Sequence, residues 1–169
     1  MVETERLIIQ PLTYEQVLSF LKLNNILETE LGLNANQRSI SVQLLHGIEN
    51  YTIPWLKAHP GNYLYYTMWI VIDKFENAIV ADLSFKGAPN KEGEIEIGYG
   101  AQPHCRNKGY MTEAVGGMIE WAKGQKAVKV ILAETRSDNI PSIIILKKNN
   151  FVFLQQSGNM MWWQRDLEK

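Results

Sequence analysis

The residues best suited to chemistry lie between Gly93 and Val115, where a basic glycine loop follows an alternating apolar segment. The loop from Arg106 to Gly109 contains two cations, no acid and a glycine that lets a ligand come close to the backbone. A strand that leads through such a loop into a helix directs unpaired backbone N–H groups at one place. That place suits an anion such as a phosphate ester, because the helix dipole adds positive potential there.

Two regular elements flank the loop and must position it. Residues 94–101 alternate with period two, which predicts a half-buried strand with Ile95, Ile97 and Tyr99 on one face. After the loop, apolar residues recur at the spacing of one buried helix face. They are Met111, Ala114, Val115, Met118, Ile119 and Ala122.

The segment resembles the GCN5-related N-acetyltransferase (GNAT) family, and especially its branch like the ribosomal-protein alanine acetyltransferases. That family carries [R/Q]-x-x-G-x-[G/A] at this place, and this chain has RNKGYM, so that Met111 replaces the final small residue. Further similar segments, in the same order as in the family, are Thr4–Leu12, EIGYG at 96–100, GYMTEAV at 109–115, Asn139–Ser142 and Lys148–Phe151. The resemblance therefore spans the chain from Thr4 to Phe151.

The resemblance implies an α/β (α+β) acyl-CoA N-acyltransferase fold, with a central mixed, mostly antiparallel sheet flanked by helices. It also implies an acetyl-CoA-dependent N-acetyltransferase, in which an amine attacks the thioester directly in a ternary complex. The partners expected are acetyl-CoA and an amine acceptor. An N-terminal α-amine, a polyamine, an aminoglycoside and a small metabolite amine all stay open as acceptors, and so does a homodimer.

The cofactor site implied by the resemblance combines three parts of the chain. Backbone N–H groups of the loop would bind the pyrophosphate, and backbone amides around Tyr99 to Ala101 would polarise the thioester carbonyl. Asn139 is a natural N-cap whose counterpart in relatives also binds the pantetheine arm. The full set of expected cofactor-binding residues is Tyr99, Gly100, Ala101, Arg106, Asn107, Lys108, Gly109, Tyr110, Met111, Asn139 and Ser142.

The candidate catalytic residues are Glu96 and Ser142. An amine must lose a proton before it attacks, so Glu96 is expected to act as a general base, directly or through a water. The alternative is a cross-strand ion pair with a lysine such as Lys86, which contributes little. Glu94 lies on the same face but farther from the loop. Ser142 is expected either to hydrogen-bond the cofactor or to be a small residue at a close contact.

One acidic group of the family is absent. Many relatives have a tyrosine that protonates the leaving thiolate, and Leu146 stands at that position here. A thiol pKa of ~8.5 makes the thiolate a fair leaving group without help. Leu146 and Met111 nevertheless motivate an alternative function, an acyl-CoA-binding sensor without turnover. Release of free thiol in the presence of amines separates this sensor from an enzyme.

Other chemistry is disfavoured by the sequence. The motifs GxxxxGK[ST] and GxGxxG after a strand are missing, so a nucleotide-binding module is the weaker third interpretation. The lone Cys105 lacks an evident His–Asn/Asp pairing for nucleophilic catalysis. His46, His59 and His104 have no metal-ligand spacing, so no metal is expected.

The bulk composition is that of an ordinary globular chain. Its 169 residues suit a single domain over residues 1–169, with 46% hydrophobic and 21% charged residues. A net charge of −1 gives no general attraction to nucleic acid or anionic membranes. No apolar run reaches the ~18 residues of a membrane span, and the N-terminus lacks signal-peptide features. With one cysteine, a cytoplasmic location is expected.

The remaining pattern predicts short strands alternating with helices. Helices are expected after Thr13, which begins a capping box, and after Ser39, with a break or kink at Pro54. Trp162 and Trp163 must point to opposite faces of the last strand. The other expected elements are strands at 7–10, 63–73, 78–86, 128–134, 151–156 and 160–166, and a helix at 141–149.

Overall fold

A single eight-stranded sheet carries the structure, a computed structural model that describes residues 1–167. The spatial strand order is β1-β2-β3-β4-β5-β6-β8-β7. The strands are β1 Val2–Glu3, β2 Leu7–Pro11, β3 Met68–Asp73, β4 Ala78–Phe85, β5 Glu94–Ala101, β6 Val130–Arg136, β7 Val152–Ser157 and β8 Met160–Asp166. The sheet is mixed and mostly antiparallel, as the sequence predicted.

Helices cover both faces of the sheet. They are α1 Tyr14–Leu21, α2 Ile26–Glu30, α3 Val42–Gly47, α4 Ile53–Ala58, α5 Tyr110–Lys123 and α6 Ile140–Lys148. A π-helical turn at Ile48–Thr52 joins α3 to α4, and short 3-10 turns occupy Pro60–Tyr65 and Pro103–Cys105. Among residues 1–167, none of these helices has both the length and the apolarity needed to cross a bilayer.

The pairing of β5 changes halfway along the strand. Its second half pairs antiparallel with β4, from Ile97 opposite Phe85 to Ala101 opposite Ala81. Its first half pairs parallel with β6, and this register ends where Ile97 lies opposite Ala133. Strands β5 and β6 therefore part after Ile97, and residues 98–101 have no ladder partner on the β6 side.

Each face of the sheet has its own apolar core. Helices α5 and α6 pack on the face that carries Ile95, Ile97 and Ile131, and all six residues of the predicted α5 stripe are buried there. Helices α1 and α4 cover the opposite face over β3, where Val17, Phe20, Leu56, Met68, Ile70 and Ile72 form a second cluster. The amphipathic interpretation of α5 is thereby confirmed.

Local capping signals in the sequence correctly indicated where several helices begin or end. Thr13 accepts from the Gln16 N–H while the Gln16 side chain accepts from the Thr13 N–H, which completes the predicted capping box. Asn150, which follows the last residues of α6, adopts φ 58°. This left-handed conformation is the one expected of an asparagine at a helix end.

The region between Asn24 and Tyr66 differs from the sequence prediction. Helix α2 was missed, because five residues are too few for a clear periodic signal. The second predicted helix is capped by Ser41 rather than Ser39 and begins at Val42, whose side chain is 80% exposed. The strand predicted at 63–73 begins only at Met68, because residues 60–65 form a 3-10 turn, and β1 was not predicted at all.

Helix α5 comes unusually close to the first strands at Gly117. A Cβ built there would lie 2.8 Å from Thr4 Cγ2 and 3.1 Å from Ile9 Cδ1. Thr4 cannot easily turn away, because its hydroxyl donates to Glu113 Oε1 at 2.6 Å. This contact fixes the distance between α5 and the sheet.

We therefore expect Gly117→Val to destabilise the protein by about 1–3 kcal/mol through overpacking. Gly47→Ala is the matched control, because a Cβ at Gly47 would meet nothing within 4 Å. In urea unfolding the control should be neutral or slightly stabilising, since Ala costs less backbone entropy than Gly in a helix. Equal stabilities of the two variants would contradict the proposed close contact.

Candidate functional site

The loop before α5 has the conformation of an anion-binding site. Asn107 and Gly109 adopt φ values of 62° and 80°, so the chain turns sharply into the helix. No side chain among the described residues caps this helix. The first backbone N–H groups of α5, at Tyr110, Met111 and Thr112, therefore point out of the helix end as free donors.

An ionic network anchored on Arg6 holds this loop in place. Arg6 Nη1 donates to the Lys108 carbonyl at 3.0 Å, and Arg6 Nε donates to Glu113 Oε2 at 2.7 Å. The Arg6 backbone N–H and the Thr4 hydroxyl both donate to Glu113 Oε1. Although burial alone would raise it, these hydrogen bonds hold the pKa of Glu113 below its ordinary value. The strand end, the loop and the first turn of α5 thus form one unit.

Tyr110 ties the same helix start to the end of β3. Its hydroxyl hydrogen-bonds Asp73, and this bond, together with burial, raises the pKa of Tyr110 to about 12. The Arg6 guanidinium lies 5.2 Å from the centre of the Tyr110 ring. Sequence reasoning missed the part played by Arg6 and Asp73. Arg6 lies inside the Thr4–Leu12 segment, which was the available signal.

The end of β5 meets the start of α6 on the α5 side of the sheet. The Tyr99 hydroxyl lies 3.0 Å from Ser142 Oγ. Burial, partly opposed by this hydrogen bond, raises the pKa of Tyr99 to about 12. The phenol therefore stays protonated at neutral pH and can donate a hydrogen bond. The Asn139 side chain accepts from the Ser142 N–H at 3.3 Å, which is the predicted N-cap.

Glu96 lies in a carboxylate–lysine cluster on the opposite face of the sheet. It forms a close ion pair with Lys86, whose ammonium also lies 3.5 Å from Glu134 Oε2. Burial alone would lower the pKa of Lys86, but attraction to the two carboxylates outweighs it and raises that pKa. The structural alternative named for Glu96 is therefore present, and its role as a base stays a prediction.

Five other residues singled out in the sequence occupy ordinary structural positions. Met111 and Leu146 are buried in the core under α5 and α6, with 5% and 0% exposure. Trp163 is buried in the same core, whereas Trp162 is half-buried and paired with Glu134 on the Glu96 face. Cys105 is buried, and this burial raises the pKa of its thiol, which disfavours a reactive thiolate.

No group of three or more His, Cys, Asp or Glu side chains within residues 1–167 is arranged to hold a metal ion. The site consists instead of three parts. They are the backbone donors at the start of α5, the edge of β5 that has no β6 partner, and a different set of side chains on each face of the sheet. This arrangement suits an extended anionic ligand whose far end passes between β5 and β6.

Comparison with known proteins agrees with this geometry. The family model of the acetyltransferase (GNAT) domain matches residues 6–152. The uncharacterised N-acetyltransferase YjdG of Bacillus subtilis (strain 168) is 35% identical over 95 residues, which cover 56% of each chain. YnaD of the same organism is 35% identical over 57 residues, or 34% of each chain. The matches thus span about half or less of these curated relatives.

Solved structures share the whole fold. Ribosomal-protein-S5-alanine acetyltransferase from Vibrio fischeri matches with a TM-score of 0.68 at 18% identity, covering 98% of this chain and 96% of that one. RimL, a ribosomal L7/L12 α-N-protein acetyltransferase in complex with coenzyme A, matches at 0.67 and 16%, covering 97% and 96%. Spermidine N-acetyltransferase from Vibrio cholerae, in complex with coenzyme A and spermine, matches at 0.65 and 11%, covering 97% of both chains.

The anchoring of the loop by Arg6 gives a direct prediction. Arg6→Ala should speed hydrogen exchange of the backbone amides from Lys108 to Thr112, because the Lys108 carbonyl and the Glu113 carboxylate each lose a donor. The loss of stability should be about 1 kcal/mol or less, since the pair is partly exposed.

Arg136→Ala is the matched control, because it removes an arginine–carboxylate pair on the surface, Arg136 with Asp138. It should leave exchange at the start of α5 unchanged. Unaltered exchange in Arg6→Ala would show that the loop keeps its conformation without this network.

Proposed function

Because the chain belongs to the acetyltransferase (GNAT) family, we propose that it transfers an acetyl group from acetyl-CoA to a primary amine. The observation that carries this proposal is the position of the uncapped α5 start beside the gap where β5 and β6 part. We place the diphosphate end of the ligand at the helix terminus and its thioester at that gap. In this placement, the diphosphate end and the thioester end of the ligand each lie against a complementary surface.

Backbone groups do most of the cofactor binding in this proposal. The N–H groups from Arg106 to Tyr110 bind the pyrophosphate, while the Arg106 and Lys108 side chains screen its charge. Asn139 and Ser142 contact the pantetheine arm from the start of α6. Met111 contributes its backbone only, because its side chain lies in the core.

The thioester reacts at the free edge of β5. Backbone N–H groups around Tyr99 to Ala101 that lack a partner on the β6 side polarise the carbonyl oxygen and stabilise the oxyanion. The amine attacks the carbonyl carbon, the C–S bond breaks, and the sulfur leaves as thiolate. The protonated Tyr99 phenol, oriented by Ser142, supplies the hydrogen bond that Leu146 cannot.

The acceptor is a primary amine that approaches from the Glu96 face. An α-amine of a protein N-terminus and a polyamine both fit the carboxylates there, Glu96 and Glu134, because each amine is a cation before it reacts. The names of the similar structures, S5-alanine acetyltransferase and spermidine N-acetyltransferase, make peptides beginning with alanine and spermidine the first compounds to test. The assay is release of free thiol from acetyl-CoA.

An acyl-CoA sensor without turnover is the second candidate function. It is favoured by one observation, the complete burial of Leu146 where many relatives have an acidic tyrosine. Binding of acetyl-CoA without thiol release, across α-amines and polyamines, would support the sensor and contradict the enzyme.

Gly109 tests the cofactor site. Gly109→Ala should weaken acetyl-CoA binding, because φ is +80° and an added Cβ would lie 3.3 Å from Arg6 Nη2. Gly158→Ala is the matched control, since Gly158 also has a positive φ, of 58°, but lies in the β7–β8 turn with nothing within 4 Å. Each variant should lose about 1–2 kcal/mol of stability from the backbone conformation.

The shift in melting temperature caused by acetyl-CoA should shrink in Gly109→Ala and stay unchanged in Gly158→Ala. Lys108→Ala should reduce the shift modestly, because it leaves the backbone donors intact. A full shift in folded Gly109→Ala would show that the loop is not the cofactor site.

Tyr99 tests the proposed assistance to the leaving thiolate. Tyr99→Phe keeps the ring and removes the donor, so kcat should fall by up to ~10²-fold while acetyl-CoA affinity changes little. Ser142→Ala should have a smaller effect of the same kind, because it only orients the phenol. Unchanged kcat in Tyr99→Phe would mean that the thiolate departs unaided.

A further inference from the structure

Asp82 is a buried carboxylate that the site described so far does not use. It lies in the middle of β4, opposite Ile70 of β3 and opposite Gly100 of β5. Directly opposite residues share a face of the sheet, so Asp82 lies on the same face as Gly100, Gly98 and Glu96. Only 7% of its surface is exposed.

Two glycines, Gly98 and Gly100, leave open space beside Asp82, and we call this space the glycine channel. A Cβ built at Gly98 would meet nothing within 4 Å, and one built at Gly100 would meet only Asp82 Oδ1, at 4.0 Å. These glycines occupy the part of β5 that has lost its β6 partner. The glycine channel therefore lies along the unpaired part of β5, where we place the thioester, and the Asp82 carboxylate borders it.

The carboxylate of Asp82 is not committed to another group. No described residue donates a hydrogen bond to it, and its backbone neighbours across the ladder, Ile70 and Gly100, carry no charge. The charged group facing it is Arg38, in the segment between α2 and α3. Arg38 is already bound to the Glu28 carboxylate and to the Phe20 carbonyl.

Burial raises the pKa of Asp82 to about 7, and Arg38 offsets only part of that effect. A carboxylate that titrates near neutral pH both takes up and releases protons efficiently under ordinary conditions. Glu96, in contrast, is held in an ion pair by Lys86.

We propose that Asp82 is the proton acceptor for the attacking amine, directly or through one water in the glycine channel. This proposal rests on the acetyl-transfer function proposed above. The acceptor ammonium gives one proton to an Asp82 oxygen, and the neutral nitrogen forms the new C–N bond. As the C–S bond breaks, the remaining excess proton on nitrogen passes to sulfur, and Asp82 later releases its proton to solvent. The products are the amide, the free thiol and one proton.

The central experiment compares Asp82→Asn with Glu96→Gln across pH, using an alanine-initiated peptide and spermidine as acceptors. In Asp82→Asn, kcat should fall about 10²–10⁴-fold near pH 7 and recover partly once the pH exceeds the pKa of the amine. Glu96→Gln should show a small loss that is uniform with pH. Acetyl-CoA affinity should be unchanged in both variants.

Four outcomes would overturn the proposal. The first is a wild-type kcat near pH 7 in Asp82→Asn, and the second is the large, pH-dependent loss of kcat in Glu96→Gln instead. An increase in KM at unchanged kcat would make Asp82 a binding residue for the acceptor cation. If the wild type releases thiol with neither amine, the acetyl-transfer function itself fails, and the Asp82 role fails with it.

Unfolding measurements supply a readout that needs no turnover. A carboxyl whose folded-state pKa lies above its unfolded value stabilises the fold below the unfolded pKa and loses that contribution as pH rises through the folded pKa. Wild-type stability should therefore decline between about pH 4 and pH 7. Asp82→Asn should lack this decline while remaining folded. An equal decline in both proteins would remove the basis for Asp82 as a base.

Discussion

The parting of β5 from β6 is the constraint on which the proposed function depends. Parallel pairing holds the two strands together through Ile97, and antiparallel pairing with β4 then continues alone to Ala101. A backbone edge without a partner is costly in a sheet interior, because buried N–H and C=O groups need hydrogen bonds. A ligand that supplies a carbonyl at this edge would satisfy that need, which supports the gap as the proposed reaction centre.

The same division separates the two halves of the chemistry. On one face, α5 and α6 bring the loop donors, Tyr99 and Ser142 to the cofactor side of the gap. On the other face, Asp82 and the Glu96–Lys86–Glu134 cluster border the route of the amine. In the proposed mechanism, the amine thus loses its first proton on the Asp82 face, and the Tyr99 hydroxyl assists the departing thiolate from the opposite face. Neither group needs to move between them.

The sequence was most informative where signals are local. The stripe of α5, the Thr13 capping box and the Asn139 cap all depend on residues within a few positions, and all three are present. The sequence did not identify Asp82 as a candidate site residue. Strand β4 is buried on both faces around it, so no alternation of polar and apolar residues shows on which face Asp82 lies. Arg6 was missed as an anchor because its partners, Lys108 and Glu113, lie about a hundred residues away.

The surroundings of Asp82 favour its proposed role as a base at the expense of the stability of the fold. Burying a carboxylate without a hydrogen-bond donor costs free energy, and an ion pair with the nearby guanidinium of Arg38 would offset that cost. Instead, Arg38 is bound by Glu28 and by the Phe20 carbonyl, with its guanidinium 4.3 Å from the Phe20 ring centre. Because Arg38 is paired with Glu28, its positive charge stabilises the ionised form of Asp82 only in part. A fully paired Asp82 would stabilise the fold better and would be a poorer base, which is the expected conflict between stability and activity.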